Sequence, residues 1–223
     1  MTIQAVVFDL DGTLLNTLAD IADAVNTVLN DLDCPTYPVD AYAAMISDGL
    51  VRLLERALPT ERQDAETIQR GVTAFDEVYL RQANAHTTLY DGISELLDEL
   101  TRRRLPRTIL SNKPHELTLD SVAACLGQWE FHTVFGQRAD VPRKPDPGGA
   151  FEIARLLNVS PTKCLYLGDT AVDMQTAIAA GMLPVGAAWG YRPAEELRSA
   201  GAARVVQHPS DVLELIHCRG GMS

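Results

Sequence analysis

One pattern limits this chain more than any other: short β-branched runs alternate with longer amphipathic stretches, and the alternation is broken once. The strand candidates are Ala5 to Phe8, Thr108 to Leu110, Thr133 to Phe135, Leu165 to Leu167, Val185 to Ala187 and Arg204 to Val206. Between the later ones lie helical candidates at Ile93 to Arg103, Glu116 to Leu126, Gly149 to Leu157, Val172 to Ala180, Ala194 to Ser199 and Val212 to Ile216. Strands separated by helices predict a parallel sheet with right-handed crossovers, a doubly wound, Rossmann-like α/β fold. The break falls between the first two strands. From Leu18 through Ala85 the apolar residues recur at helical spacing, as in Ile21, Val25, Val28, Leu29 and Leu32, with no strand among them. A crossover needs only about a dozen residues, so the excess predicts a small inserted all-helical domain. The expected division is a core of residues 1–15 and 89–223 with an insert of residues 16–88.

Composition removes several classes of function. With 223 residues, 46% of them hydrophobic, the chain is long enough to bury its own core. Nineteen Lys and Arg against 30 Asp and Glu give a net charge of −11, which repels nucleic-acid backbones and anionic lipid. Neither nucleic acid nor membrane is expected as a partner. Cys34, Cys125, Cys164 and Cys218 form no C-x-x-C pair and fit neither a zinc site nor a disulfide framework. The first basic residue is Arg52 and no apolar run is long enough to span a bilayer, so a cytoplasmic location is expected.

The chemistry-bearing residues gather where strands end. The first strand runs into Asp9-Leu10-Asp11-Gly12-Thr13. Residues two apart in extended backbone share a face, so Asp9 and Asp11 are expected to project together from the carboxyl edge of the sheet, where open α/β sheets bind ligands. Paired carboxylates call for a hard divalent cation such as Mg²⁺, although Asp-x-Asp-Gly is also an ordinary turn signal. The second strand ends in Ser111-Asn112-Lys113, where a hydroxyl, an amide and a helix start near Pro114 suit phosphoryl oxygens, or simply an N-cap. Lys144, one of only three lysines, stands before Pro145 in a constrained loop and offers a point charge to a phosphate or a carboxylate. Finally, Gly168-Asp169 leads to Asp173 four residues on, so two carboxylates can reach one cation or can merely complement a helix N-terminus.

Four consecutive strand exits thus carry a carboxylate pair, a hydroxyl-amide cradle, a lysine and a second carboxylate pair. In this the chain resembles the haloacid dehalogenase superfamily of phosphohydrolases, whose four motifs match Asp9 to Thr13, Ser111, Lys144 and Gly168-Asp169 through Asp173. The insert is similar to the helical cap of subgroup I members. Asn112-Lys113-Pro114, Ser47-Asp48-Gly49 and the run Leu53 to Leu58 look most like phosphoglycolate phosphatases, whereas Asn16 and Ser47 depart from residues common among those relatives.

The resemblance implies Asp9 as nucleophile and Asp11 as general acid and base. It implies Ser111, Asn112 and Lys144 at the phosphate, and Mg²⁺ at Asp9, Asp11 (through its main-chain carbonyl), Asp169 and Asp173. The expected substrate is a small phosphate ester. If that ester carries a carboxylate, Arg52 or Lys113 is expected to meet it. A phosphomutase or pyrophosphatase of the same superfamily is the alternative. A dehalogenase fits less well because halide leaves without a proton and needs no Asp11. A non-catalytic phospho-ligand binding module would lack a motif residue, and none is missing.

Overall fold

The computed structural model describes residues 2–46 and 49–216. In chain order the elements are β1 (Ala5–Phe8), β2 (Leu15–Asn16), α1 (Leu18–Asp31), α2 (Tyr42–Met45), α3 (Leu50–Ala57), α4 (Ala65–Gln82), β3 (Thr88–Leu89) and α5 (Ile93–Arg102). They continue with β4 (Arg107–Pro114), α6 (His115–Leu126), β5 (Thr133–Gln137), α7 (Gly148–Leu156), β6 (Cys164–Gly168), α8 (Ala171–Ala180), β7 (Leu183–Ala187), α9 (Ala194–Ser199), β8 (Arg204–Val206) and α10 (Val212–Leu215). The chain forms two compact units, residues 1–15 with 89–223, and residues 16–88.

The first unit holds a six-stranded sheet in the order β5-β4-β1-β6-β7-β8, every neighbouring pair parallel. The chain builds outward from β1 through β4 to β5, then crosses to β6 and builds the other way. This is the doubly wound topology, with its switch point beside β1. Period-2 alternation sends successive side chains to opposite faces. Val6, Phe8, Leu165 and Leu167 join one core with Ile93, Leu96, Leu97 and Leu100 of α5. Ala5, Val7, Cys164 and Tyr166 join the other with Ala150, Ile153 and Ala154 of α7 and Ala177 of α8. Strands covered on both faces are apolar throughout, which is why β1 and β6 read as continuous runs.

The second unit is helical. The chain pairs α1 with α4 and α3 with α4, and Gly71 on α4 leaves just enough room for Leu54, whose Cδ1 would lie 3.2 Å from an added Cβ. Asp64 caps α4, its side chain accepting from Thr67 N at 2.9 Å. Asp20, buried in α1, accepts from His86 N at 2.8 Å and Thr87 Oγ1 at 2.5 Å, and so ties down the segment that leaves the unit.

Two features differ from the sequence reading. The strand expected to stop at Leu110 continues to Pro114, with a register shift against β5 between Leu110 and Pro114, so Ser111, Asn112 and Lys113 are strand residues. The two-residue strands β2 and β3, which pair with each other, escaped notice because two residues carry no period. Cys34 and Cys164 are free thiols, while Ser47, Asp48 and Cys218 lie outside the described residues. Among the described residues no helix is long and apolar enough to cross a membrane.

Candidate active site

The carboxyl ends of β1 and β6, the first turn of α8 and the loop after β5 deliver their side chains to one buried cluster. Lys144 is its centre. Its ammonium donates to Asp9 Oδ1 at 2.8 Å and to Asp173 Oδ1 at 2.6 Å. Asp9, Asp169 and Asp173 are all buried, and one oxygen from each lies within 4.8 Å of the others.

Each group is held from behind. Thr170 and Asp173 form a capping box at the start of α8: Thr170 Oγ1 and N donate to Asp173 Oδ2 at 2.6 and 3.1 Å, leaving Oδ1 turned toward Lys144. The Tyr166 hydroxyl, fully buried, lies 3.3 Å from Leu110 O and 3.4 Å from Asp173 Oδ1. Asp169 accepts from Thr13 Oγ1 at 3.1 Å and from Tyr191 N at 2.8 Å, and Trp189 Nε1 donates to Thr13 O at 2.9 Å. Gly12, at φ +87, turns the chain past this carboxylate, and a Cβ there would lie 2.3 Å from Asp169 Oδ2.

Gly190 makes an equally close approach, its missing Cβ falling 2.3 Å from Asp169 Cβ and 2.4 Å from Gly12 O. Gly190→Ala must therefore displace backbone or Asp169, and is expected to cost about 1–3 kcal/mol in urea unfolding. An unchanged midpoint would contradict that packing.

The electrostatics follow from one buried ammonium bonded to two carboxylates, with a third buried carboxylate beside them. Burial first, then Asp173, pushes the Asp9 carboxyl up to about 7, against the opposing pull of Lys144. Burial, Asp9 and Asp173 together raise Asp169 well above the usual carboxylate range. For Lys144, burial works against the charged form, but Asp173 and Asp9 outweigh it and the net shift is upward. The cluster is short of positive charge. Three converging buried oxygen donors suit a hard divalent cation, so Asp9, Asp169 and Asp173 fit Mg²⁺ on donor type and on charge.

The remaining expected residues are placed differently from one another. Ser111 is buried and its Oγ accepts from Lys113 N at 3.1 Å. The Asn112 side chain is fully engaged with the backbone of Lys144, donating to its carbonyl at 3.1 Å and accepting from its amide at 2.9 Å. Asn112 therefore holds the lysine loop through its side chain. The Asp11 carboxylate is not one of the three that converge, and it accepts from Lys113 Nζ at 3.2 Å. β1 ends at Phe8 and the chain then turns, with Thr13 N and Leu14 N both donating to Leu10 O. Arg52 belongs to the other unit, on α3, where its exposed side chain pairs with Glu55 at 2.5 Å. Such an exposed pair is worth under about 1 kcal/mol.

Thr13, Tyr166 and the Gly190-Tyr191 backbone went unassigned in the sequence reading. Thr13 adjoins the Asp-x-Asp-Gly signal and could have been found there, whereas Tyr166 looks like any core strand residue and Tyr191 contributes only a main-chain N–H.

Comparison with known proteins identifies the family. Residues 3–181 match the haloacid dehalogenase-like hydrolase family. A phosphoglycolate phosphatase of Chromobacterium violaceum is 30% identical over 218 residues, 96% of each chain. One from Pseudomonas savastanoi pv. phaseolicola is 30% identical over 210 residues, 91% of this chain and 76% of that one. A solved structure from Lactobacillus delbrueckii subsp. bulgaricus superposes with a TM-score of 0.90 at 26% identity, covering 97% of this chain and 99% of the other. A haloacid dehalogenase-like family protein of Streptococcus pneumoniae shares the fold, with a TM-score of 0.87 at 21% identity over 96% of this chain and 99% of that one. By its fold, its four strand-end motifs and these relatives, the chain belongs to the haloacid dehalogenase-like hydrolase family.

Proposed function

We propose that this hydrolase cleaves a small phosphate monoester, with phosphoglycolate as the first substrate to test, through an aspartyl-phosphate formed on Asp9. The observation that carries the reading is a buried Asp9 whose Oδ1 is held by Lys144, which leaves Oδ2 to attack. In the first displacement Asp9 Oδ2 bonds to phosphorus, the ester P–O bond breaks, and the departing alkoxide takes a proton from Asp11. In the second, Asp11 removes a proton from water, the water oxygen bonds to phosphorus, and the acyl-phosphate P–O bond breaks to return Asp9 and orthophosphate. Lys144 fixes the nucleophile and contributes its charge to the phosphoryl group, and Ser111 Oγ is the hydroxyl available to a phosphoryl oxygen. Mg²⁺ held by Asp9, Asp169 and Asp173 would supply the positive charge that offsets repulsion between carboxylates and phosphate.

The relatives named phosphoglycolate phosphatase support this choice of substrate. In the same reading, residues 1–15 and 89–223 are the catalytic core and residues 16–88 the cap. The test is a Mg²⁺-dependent phosphate-release screen over phosphoglycolate, sugar phosphates, nucleotides and pyrophosphate. Preference for phosphoglycolate supports the substrate, and a flat profile removes it. Conversion of a sugar phosphate to its isomer without phosphate release would instead show a mutase.

Asp11→Asn should slow alkyl phosphates by about 10²–10⁴-fold and p-nitrophenyl phosphate much less, because a good leaving group needs little protonation. Equal losses on the two would count against an acid role. Arg52 remains our candidate for a substrate carboxylate. Arg52→Ala should lower kcat/KM for phosphoglycolate by about tenfold or more, the range for a charged hydrogen bond, with p-nitrophenyl phosphate little affected.

A further inference from the structure

The ion pair between Asp11 and Lys113 joins the proposed acid and base of the two displacements above to a lysine that they leave without a role. The Lys113 side chain is 5% exposed and the Asp11 side chain 20%, so the lysine is the embedded partner and the aspartate the accessible one. The backbone on either side of the lysine is pinned. Lys113 N donates to Ser111 Oγ at 3.1 Å, and Lys113 O accepts from Thr118 Oγ1 at 3.2 Å. Gly136 of β5 packs against it so closely that a Cβ there would lie 2.6 Å from Lys113 O. A buried ammonium on a fixed strand is a rigid point of attachment, whereas Asp11 sits on a loop just past the end of β1.

We propose that Lys113 is a positioning residue for Asp11: by holding Oδ1 at 3.2 Å it aims Oδ2 at the reacting oxygen, and it does not itself meet a substrate carboxylate. This rests on the acid and base role proposed for Asp11. Orientation of this kind matters because a displacement of about 1 Å in a proton-transferring group costs on the order of a hundredfold in rate. Burial argues the same way, since a lysine already committed to a carboxylate within the protein must break that pair to bind one on the substrate.

The test uses Lys113→Met, which keeps the length and apolar stem without the charge, Lys113→Arg, Asp11→Asn and the Lys113→Met/Asp11→Asn double variant. Each is assayed on phosphoglycolate, ethyl phosphate and p-nitrophenyl phosphate. For Lys113→Met, kcat on both alkyl phosphates should fall alike, by about tenfold to a hundredfold, with KM within about twofold. Lys113→Arg should recover part of the loss. In the Asp11→Asn background, followed on p-nitrophenyl phosphate, removing the lysine should cost nothing further. A loss confined to phosphoglycolate and expressed in KM would make Lys113 the carboxylate anchor and overturn the proposal, as would the same fold-loss with and without Asp11. Urea unfolding of the wild type, Lys113→Met, Asp11→Asn and the double variant gives a readout independent of turnover. Non-additive midpoints support the pair, and additive ones overturn it even if the wild type hydrolyses none of the three esters, a result that would separately reject the phosphatase reading.

Discussion

Asp9→Asn is expected to lower phosphate release by at least about a thousandfold while the protein stays folded. The amide matches the carboxylate in shape but is no nucleophile, so no aspartyl-phosphate can form. Stability should move the opposite way from activity. Burial and Asp173 already push the Asp9 carboxyl up to about 7, so at neutral pH the metal-free site holds a charge its surroundings oppose. A neutral side chain relieves that opposition and leaves Lys144 its 2.6 Å bond to Asp173. The metal-free variant should therefore melt at or above the wild-type temperature at pH 7.5. Phosphate release and melting are measured on the same samples: activity within tenfold of wild type removes Asp9 from the nucleophile role, and a collapsed melt would assign the loss to unfolding instead.

Chelation should silence the enzyme completely, with Mg²⁺ restoring turnover and Ca²⁺ replacing it poorly, since Ca²⁺ takes more ligands at longer distances. The same site makes a prediction about pH that needs no turnover. The Asp9 carboxyl rises from 3.8 to about 7 on folding, so its contribution to stability is complete below about pH 4 and is lost as pH climbs through 7. Asp169 is shifted in the same direction, first by burial and then by Asp9 and Asp173. Metal-free protein should accordingly lose a few kcal/mol between pH 4 and 7.5, a loss that Asp9→Asn should reduce. Mg²⁺ should raise the melting temperature more at pH 7.5 than at pH 5, where protons already neutralise part of the cluster. Full turnover in excess EDTA, or an equal Mg²⁺ shift at both pH values, would sink the assignment of a cation to Asp9, Asp169 and Asp173.

How much of this was legible depended on how local the cause was. The six sheet strands of the core could be read because burial on both faces makes them apolar runs bounded by turn residues. Asp9, Lys144, Asp169 and Asp173 could be read because carboxylates and a lysine at successive strand exits are rare unless something uses them. The helical candidate from Val172 was enough to place Asp173 in a first turn, whereas its capping box with Thr170 was not read. The grip of Asn112 on the lysine loop could not be read, because its two bonds go to the Lys144 backbone 32 positions away.

The sequence by itself determined the doubly wound sheet and the residues that gather at its carboxyl edge, because hydrophobic period and strand-end chemistry are properties of neighbouring residues. The tertiary structure decided how those residues divide the work. It set Lys144 between Asp9 and Asp173, paired Asp11 with Lys113, and brought Thr13 and the Tyr191 amide to Asp169. Those choices rest on distances between segments up to 156 residues apart, fixed by the packing of β1, β4, β6 and the loops beyond them. A hydrogen bond depends on tenths of an ångström and on angle, and no local pattern encodes either.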